Sequence, residues 1–396
     1  MSVLEPFPAR IVRPEWAEHV VSPMHDSLTP EERVATMTER PYSWLHVSRT
    51  PDDLPEGGDE AALVEVESAA LQRLLDAGVF EDFPEPALYV YRLRSHDHSQ
   101  TGVVGEVPHE AFVGGRILGH EGVQPERVDS LETHLAGVGA VSTLVALMFR
   151  ADDDVRKLIE ATTEEPPLRS LGRDDLEQTV WRIDDPEAID RIRERLDRQT
   201  LYITDGHHRA KASVDLWERA GRPKDGGVPA VLFPDEELRM LAFHRRVVGP
   251  LPMDAEDLLA MLAERVDVEA AGAGPQERGA FGLYVDGRWF RLVLRPDGSG
   301  GGVGALDVTR LHREVLEPIF GIGDSGDPRL EFVSAAVPIE ELTRRVDEDG
   351  GAAFTLVAPT FEQFVEVADR GEQMSAKATF FDPKPRAGLF LRVRKA

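Results

Sequence analysis

Apolar and polar residues recur along the chain with two different periods, and each change of period marks a predicted element. Residues 61–78 carry apolar side chains at helical spacing and end in a glycine, which predicts a helix. A second helix is predicted at 209–220 on the same grounds. Alternating or continuous apolar runs predict strands at 87–94, 101–108, 141–149 and 201–204. Helices interleaved with strands and hairpins predict an α+β fold.

Changes in this pattern divide the chain into three predicted regions. Residues 1–85 form an N-terminal region of helix and loop, in which Thr29 is a predicted helix cap before a proline. Residues 86–250 hold most of the predicted strands and form a central domain. Residues 251–396 follow a Gly-Pro-Leu-Pro stretch and form a C-terminal α+β domain. The sequence contains no internal repeat.

The composition narrows the classes of function. The chain has 396 residues, 41% of them hydrophobic, and no cysteine, which excludes disulfides, thiolate nucleophiles and cysteine-bound zinc. A net charge of −27 repels phosphate backbones, so we do not expect a nucleic-acid partner. No apolar run approaches the roughly 20 residues that span a bilayer, and no leader pattern opens the sequence. We therefore expect a cytoplasmic protein without a membrane partner.

The string TDGHHR at residues 204–209 joins a predicted strand to a predicted helix and is typical of a phosphate site. Gly206 permits a backbone turn that a side chain would hinder. The helix that follows presents unpaired N–H groups and a positive dipole end. Arg209 can bind an anion with two hydrogen bonds, and His207 and His208 can donate to phosphate oxygens.

Asp205 does not belong in a simple anion site, because its charge repels phosphate. The carboxylate is explained if it binds a Mg²⁺ ion that bridges to phosphate, or if it orients a reacting hydroxyl. Two simpler interpretations stay open. In one, Asp205 only caps the helix, and in the other, one of the two histidines is structural. A zinc site is disfavoured, because adjacent histidines point in different directions and no third ligand is evident.

A second cluster lies at residues 114–131, where His120 and Glu121 follow an apolar stretch and precede a predicted helix. A carboxylate beside a phosphate site can accept the proton of a hydroxyl as its oxygen attacks phosphorus. Taken alone the signal is weak, because glutamate is common at the start of a helix.

A third cluster holds two of the six lysines of the chain, Lys377 and Lys384, in a turn-rich stretch. We expect both ammonium groups to bind phosphate and to lie within about 10 Å of the Asp205–Arg209 turn, one Debye length at 0.1 M salt. The simpler alternative is an exposed basic loop. His244 and Arg245 end a predicted strand, and we interpret them as structural.

These clusters together resemble the DUF1015 family over nearly the whole chain. The strings that carry the resemblance are PFPARIVRP (6–14), SPMHDSLTPEER (22–33), RPYSWLHVSR (40–49), GRILGHEGV (115–123), YITDGHHRAKA (202–212), LAFHRRV (241–247) and GEQMSAKATFFDPKPRAGLF (371–390). The chain departs from the family pattern at Met24-His25, where Pro-Tyr is usual before Asp26, at Ala378 in place of a serine, and at Asp382 in place of a tyrosine. These departures leave the substrate open.

The central region is similar to the ParB/sulfiredoxin superfamily, which includes free-serine kinases. That resemblance implies a ParB/sulfiredoxin-like central domain with N-terminal and C-terminal α+β additions. It implies that Glu121 activates the serine hydroxyl, that Asp205 lies beside Mg²⁺, and that His207, His208 and Arg209 bind phosphate. His120 and Asp26 belong to the same matched elements.

We therefore expect a small-molecule phosphotransferase that acts on a hydroxyl such as that of serine, or catalyses the reverse reaction. Its donor would be ATP, ADP or pyrophosphate. The alternative is a nucleotide-binding regulatory protein without turnover. DNA binding by analogy with ParB is opposed by the charge and by the lack of a basic helix in the sequence. The sequence also lacks a GxxxxGK[ST] loop and the protein-kinase signatures.

Overall fold

The structure is a computed structural model that describes residues 2–50, 53–54, 59–173, 175–224, 226–272, 277–296, 298 and 300–393. The contacts within it divide the chain into two compact units. The first unit comprises Met1–Gly119, Val123–Leu238 and Pro383–Ala396. The second unit comprises His120–Gly122 and Arg239–Asp382.

Strands and helices alternate along the chain. The strands are β1 Phe7–Val12, β2 Phe80–Arg94, β3 Ser99–Pro108, β4 Ile117–Leu118, β5 Ala140–Val141, β6 Val145–Phe149, β7 Arg169–Arg173, β8 Leu176–Ile183, β9 Leu201–Asp205, β10 Gly227–Pro234, β11 Met240–Leu241, β12 Phe243–Val247, β13 Asp267–Ala270, β14 Ala280–Val285, β15 Arg288–Val293, β16 Leu330–Ser334, β17 Ala352–Thr355, β18 Phe380–Phe381 and β19 Phe390–Val393. The α-helices are α1 Ala17–Val20, α2 Pro30–Glu39, α3 Glu60–Asp76, α4 His109–Val113, α5 Pro125–Val138, α6 Asp153–Thr163, α7 Pro186–Leu196, α8 His207–Arg219, α9 Ala255–Ala263, α10 Asp307–Leu311, α11 Glu317–Phe320, α12 Ile339–Asp349 and α13 Phe361–Asp369.

A large mixed sheet forms the centre of the first unit. Its strand order is β4-β9-β6-β10-β3-β2-β1-β19-β5, with β8 paired to β2 and β7 paired to β8. The β10–β6 and β4–β9 pairs are parallel, and the other pairs are antiparallel. Strands β9 and β6 lie inside this sheet, and their apolar residues are buried in one cluster with Ala210 of α8. The strand and helix of the TDGHHR string are thus anchored by the core.

The helices of the first unit begin and end where local chemistry predicts. Thr29 caps α2 in a reciprocal pair of hydrogen bonds with Glu32, and Pro30 occupies the first helical position. Asp59 caps α3 by accepting a hydrogen bond from Ala62 N. After α3, Gly78 adopts a φ of 65°, which glycine tolerates without strain.

The second unit contains an antiparallel sheet with the order β13-β15-β14-β17-β12-β16, and a separate pair β11–β18. Strands β14 and β15 form a hairpin through Asp286 and Gly287, both at positive φ, as a tight two-residue turn requires. Burial of Phe281, Leu283 and Phe354 builds the apolar side of this sheet.

The predicted α+β class is confirmed, and most predicted helices and strands are present with shifted ends. The single strand predicted at 141–149 is wrong, because this stretch forms two strands, β5 and β6, which pair with different partners. The predicted division of the chain into the regions 1–85, 86–250 and 251–396 stays a prediction. In the structure β1 pairs with β2, so the N-terminal region contributes to the large sheet. Within the described residues, no helix is both long and apolar enough to cross a membrane.

Candidate functional site

The turn between β9 and α8 depends on a glycine. Gly206 has a φ of 99° and is the N-cap of α8, so Asp205 is not the cap, which corrects one of the simpler interpretations. A Cβ at Gly206 would lie 2.8 Å from Arg209 Nη2 and 2.9 Å from its Cζ. Glycine therefore allows the Arg209 side chain to fold back across the turn toward the end of β9.

Asp205 is held by two cations. Arg209 donates from Nη2 to Asp205 Oδ2, and Lys384 Nζ lies 2.5 Å from Oδ1. Arg209 is fixed further by a 2.6 Å hydrogen bond from Nη1 to the carbonyl of Leu144. Burial raises the pKa of the Asp205 carboxyl, but Lys384 and Arg209 outweigh burial and hold the pKa below its usual value. One carboxylate between two cations leaves a net positive charge at the start of α8.

The two histidines of the string have different surroundings. His207 is buried, and its ring lies against Gly119, where a Cβ would be 3.0 Å from Cδ2. Burial lowers the pKa of His207 to about 4, so the ring is neutral near pH 7. His208 is half-buried, and its Nε2 accepts a 3.0 Å hydrogen bond from Gln124 N, which leaves Nδ1 to carry the proton.

Two residues outside the TDGHHR string act electrostatically on this cluster. Arg127 was not predicted from the sequence, whereas Asp26 belongs to the elements matched by the family resemblance. Burial lowers the pKa values of His25 and His208, and Arg127 lowers both further. Arg127 lies in the first turn of α5, where a cation is unfavourable for the helix dipole. A cation at this helix position is the sequence signal that could have drawn attention to Arg127. Asp26 is exposed, and with Asp205 it raises the pKa of Lys384 against the effect of burial.

The predicted residues His120 and Glu121 belong to the second unit. His120 is fully buried, and its Nε2 lies 3.1 Å from Thr379 Oγ1. Its carbonyl accepts a 2.8 Å hydrogen bond from Met374 N, and Glu121 forms a parallel bridge with Met374. The Glu121 side chain is about one-third exposed. The backbone that carries this carboxylate is thus fixed by the segment that follows α13.

The two predicted lysines belong to different units. Lys384 lies in the first unit and contacts Asp205, in agreement with the expected proximity. Lys377 lies in the second unit, exposed, with Nζ 5.2 Å from the centre of the Phe243 ring. Its expected distance from the TDGHHR turn stays a prediction.

The donor set around Asp205 allows a test of the expected Mg²⁺ site. Both carboxylate oxygens already contact cations, Arg209 and Lys384, which would repel a divalent ion. Among the described residues, no group of three His, Asp or Glu side chains is arranged as a metal site. The residues in this arrangement do not fit a Mg²⁺ ion bound directly to Asp205.

Comparison with known sequences identifies a family. A family model described as a protein of unknown function (DUF1015) matches residues 4–309. No curated protein matches the chain.

Solved structures give only slight likenesses. A mutant free serine kinase in complex with ADP has a TM-score of 0.37 and 16% identity, covering 71% of this chain and 87% of that one. A conserved hypothetical protein from Pyrococcus furiosus has a TM-score of 0.34 and 16% identity, covering 73% and 95%. A C-terminally truncated SbnI from Staphylococcus aureus has a TM-score of 0.39 and 10% identity, covering 72% and 87%. Likenesses at this level do not establish a shared fold or activity.

Proposed function

The chain belongs to the DUF1015 family, and we propose that it is a small-molecule phosphotransferase acting on a hydroxyl, as a free-serine kinase does, or on phosphoserine in reverse. The observation that carries the proposal is the pair of cations, Arg209 and Lys384, at the N-terminus of α8. The proposal includes a ParB/sulfiredoxin-like core for residues 86–250. ATP, ADP or pyrophosphate would be the phosphate donor.

The proposed role of this cluster is to bind the donor phosphate. Arg209 and Lys384 offer several N–H donors to phosphate oxygens, and the helix N-terminus adds backbone N–H groups. Asp205 holds both cations in place before the anion arrives, which reduces the ordering cost of binding. As the phosphoryl group transfers, the same cations stabilise charge on its oxygens. Mg²⁺ bound by Asp205 is not needed for any of these roles.

The proposed general base is Glu121. Its carboxylate would take the proton of the acceptor hydroxyl while the hydroxyl oxygen forms a bond to phosphorus. The bond from phosphorus to the bridging oxygen of the donor breaks, and the shortened donor leaves with that electron pair. The contacts of His120 and Met374 support this role, because they fix the backbone around the carboxylate.

A nucleotide-binding regulatory protein is the second candidate. It is favoured by one observation, the neutralisation of Asp205 by Arg209 and Lys384, which leaves that carboxylate unsuited to acid–base chemistry. Such a protein would bind the donor and show no transfer. The difference between the two candidates therefore lies in turnover and not in binding.

Transfer can be measured directly. Serine, threonine and homoserine would each be incubated with ATP, ADP and pyrophosphate, and new phosphate esters followed by ³¹P NMR. The phosphotransferase proposal expects an ester signal with at least one acceptor. Donor binding without any ester signal would favour the regulatory protein, and the absence of both would contradict the two candidates together.

Replacement of Glu121 separates the base from the binding groups. We expect Glu121→Gln to reduce turnover by about 10²–10⁴-fold, the usual contribution of a general base, with little change in donor affinity. The matched control is Glu126→Gln, an exposed glutamate in the first turn of α5, which should keep full activity. Full activity in Glu121→Gln would remove this residue from the mechanism.

A further inference from the structure

The segment that carries Lys377 is fixed at both ends by buried groups of the second unit. At one end Met374 N donates to the carbonyl of His120, at 2.8 Å. At the other end Thr379 Oγ1 lies 3.1 Å from His120 Nε2. Because the His120 ring is fully buried and packs edge-on against Phe364, it cannot move to follow the segment. The residues between these two anchors therefore form a short, tethered loop.

A buried arginine holds the middle of this loop. Arg245 of β12 is only 3% exposed, and its Nη2 donates to the carbonyls of Lys377 at 3.0 Å and Ala376 at 3.4 Å. Nη1 donates to the carbonyl of Phe243 at 2.9 Å, and the guanidinium lies 4.5 Å from the Phe332 ring centre. Nη2 is thus directed at the loop backbone, and Nη1 at the start of β12.

Burial of the Arg245 charge is unfavourable unless the hydrogen bonds that it makes offset the loss of hydration. Burial lowers the pKa of Arg245 to about 9, and no carboxylate among the described residues opposes the shift. An apolar side chain of similar size would fill the same space without that cost. What the guanidinium adds at this position is a set of donors to the carbonyls of Phe243, Ala376 and Lys377, two of which belong to the loop.

The backbone that Arg245 contacts is itself unusual. Lys377 has a φ of 55°, a left-handed conformation that is uncommon for residues with a side chain. Such conformations persist where the surroundings impose them, and they occur often at functional sites. Here the conformation directs the lysine across the Phe243 ring, with Nζ 5.2 Å from the ring centre.

We infer that Arg245 is a positioning residue, which holds the backbone of Lys377 so that its ammonium group, supported on Phe243, binds a phosphate of the substrate. This inference rests on the proposed function and adds to it a residue that acts only through another. It replaces the purely structural interpretation that the sequence suggested for Arg245. If the inference is correct, replacing Arg245 and replacing Lys377 weaken phosphate binding through the same lost contact, so their effects do not add.

A double-mutant cycle on pyrophosphate affinity tests this coupling. We expect Lys377→Met and Arg245→Met each to weaken binding by about tenfold to a hundredfold, the range for hydrogen bonds to charged groups. The double variant should bind no more weakly than the weaker single variant, because Arg245 acts through Lys377. Effects that multiply in the double variant, or full affinity in Arg245→Met, would overturn the inference.

Further variants keep the test decisive if Arg245→Met does not fold. Lys377→Gly should raise the unfolding midpoint relative to Lys377→Met, since glycine accepts this φ, yet bind pyrophosphate as weakly as Lys377→Met. Arg245→Lys keeps the charge but has one nitrogen in place of Nη1 and Nη2, so it cannot keep the bonds to Phe243 and to the loop together and should also weaken binding. Equal affinity of wild type, Lys377→Gly and Arg245→Lys would overturn the inference.

Arg209→Ala distinguishes failure of this inference from failure of the proposed function. If Arg209→Ala weakens pyrophosphate binding and the Lys377 variants do not, only the role of Lys377 and Arg245 is wrong. If the wild-type protein does not bind pyrophosphate, the proposed function and this inference both fail.

Discussion

Asp205 forms ion pairs with two cations that differ in how well a sequence can predict them. Arg209 lies only four residues after Asp205, across the turn from β9 into α8, so the local sequence already places the two charges close together. Lys384 lies near the other end of the sequence, and only the fold brings it to Asp205. The phosphate site was predicted from a local string and stays a prediction, while the ion pair of Asp205 with Lys384, which opposes direct Mg²⁺ binding, could not be foreseen.

Burial of a single histidine gives a pH effect that can be measured. His244 is 4% exposed, its Nδ1 accepts from Leu356 N at 3.3 Å, and burial lowers its pKa from 6.5 to about 4. Between these values the unfolded chain binds more protons, so the free energy of unfolding falls as pH decreases from 6.5 through 4. With about 1.4 kcal/mol for each pKa unit, the loss is on the order of 3 kcal/mol.

The measurement compares urea unfolding of wild type and His244→Asn at about pH 7.5 and about pH 4.5. The asparagine oxygen can accept the Leu356 hydrogen bond, but it does not titrate. Other histidines with lowered pKa values, such as His25 and His46, are present in both proteins and cancel in the difference. An identical pH dependence in the two proteins would show that His244 contributes nothing.

At the scale of elements, the spacing of apolar residues predicted where helices and strands occur better than it predicted where they begin and end. β2 begins at Phe80, earlier than predicted, although Pro84 and Pro86 lie within it. Its first half pairs with β1 and its second half with β3 and β8, so pairing with partners distant in sequence extends the strand. Local propensity cannot report such partners, which is why the boundary was missed.

The Gly206 turn can be tested against a second glycine at the other end of α8. Gly206 and Gly221 both have positive φ, and alanine at either should cost about 1 kcal/mol of stability. Only at Gly206 would the new Cβ meet the Arg209 side chain, since nothing lies within 4 Å of that position at Gly221. Gly206→Ala should therefore also weaken pyrophosphate binding by about tenfold, on the order of 1.4 kcal/mol.

The outcome that matters is the difference between the two variants in calorimetric affinity, with stability followed by thermal unfolding. Loss of stability in both with loss of affinity in Gly206→Ala alone is the expected result. Equal affinity in Gly206→Ala and Gly221→Ala would mean that the position of Arg209 does not depend on this turn.

At the scale of the whole molecule, the end of the chain completes the first unit. Residues 383–396 belong to that unit, where β19 pairs with β1 and β5, and the same segment supplies Lys384. The sequence showed the basic residues of this stretch but not their destination, because strand pairing over such a separation depends on the assembled sheet. The family resemblance likewise identified the motifs without their contacts.

Ser142 joins the terminal segment to the sheet. It is buried, accepts a 2.8 Å hydrogen bond from Gly388 N, and donates to the carbonyl of Phe390. Ser142→Ala removes one hydrogen bond from each of these two buried backbone groups, so we expect a loss of about 1–3 kcal/mol in the free energy of unfolding. Urea denaturation measures it, with the exposed Ser325→Ala as control. If both variants unfold like wild type, this link does not stabilise the unit.

The central claim, a phosphate site built on Asp205, Arg209 and Lys384, is tested most directly by calorimetric titration of pyrophosphate. Wild type should bind, and Lys384→Met should lose about 1.5–3 kcal/mol, the range for hydrogen bonds to charged groups. Lys211→Met is the matched control, because Lys211 lies on α8, the helix that carries Arg209, but is exposed and paired with Asp215. Its affinity should equal that of wild type. Absence of binding by wild type, or equal affinity in the two lysine variants, would contradict the claim.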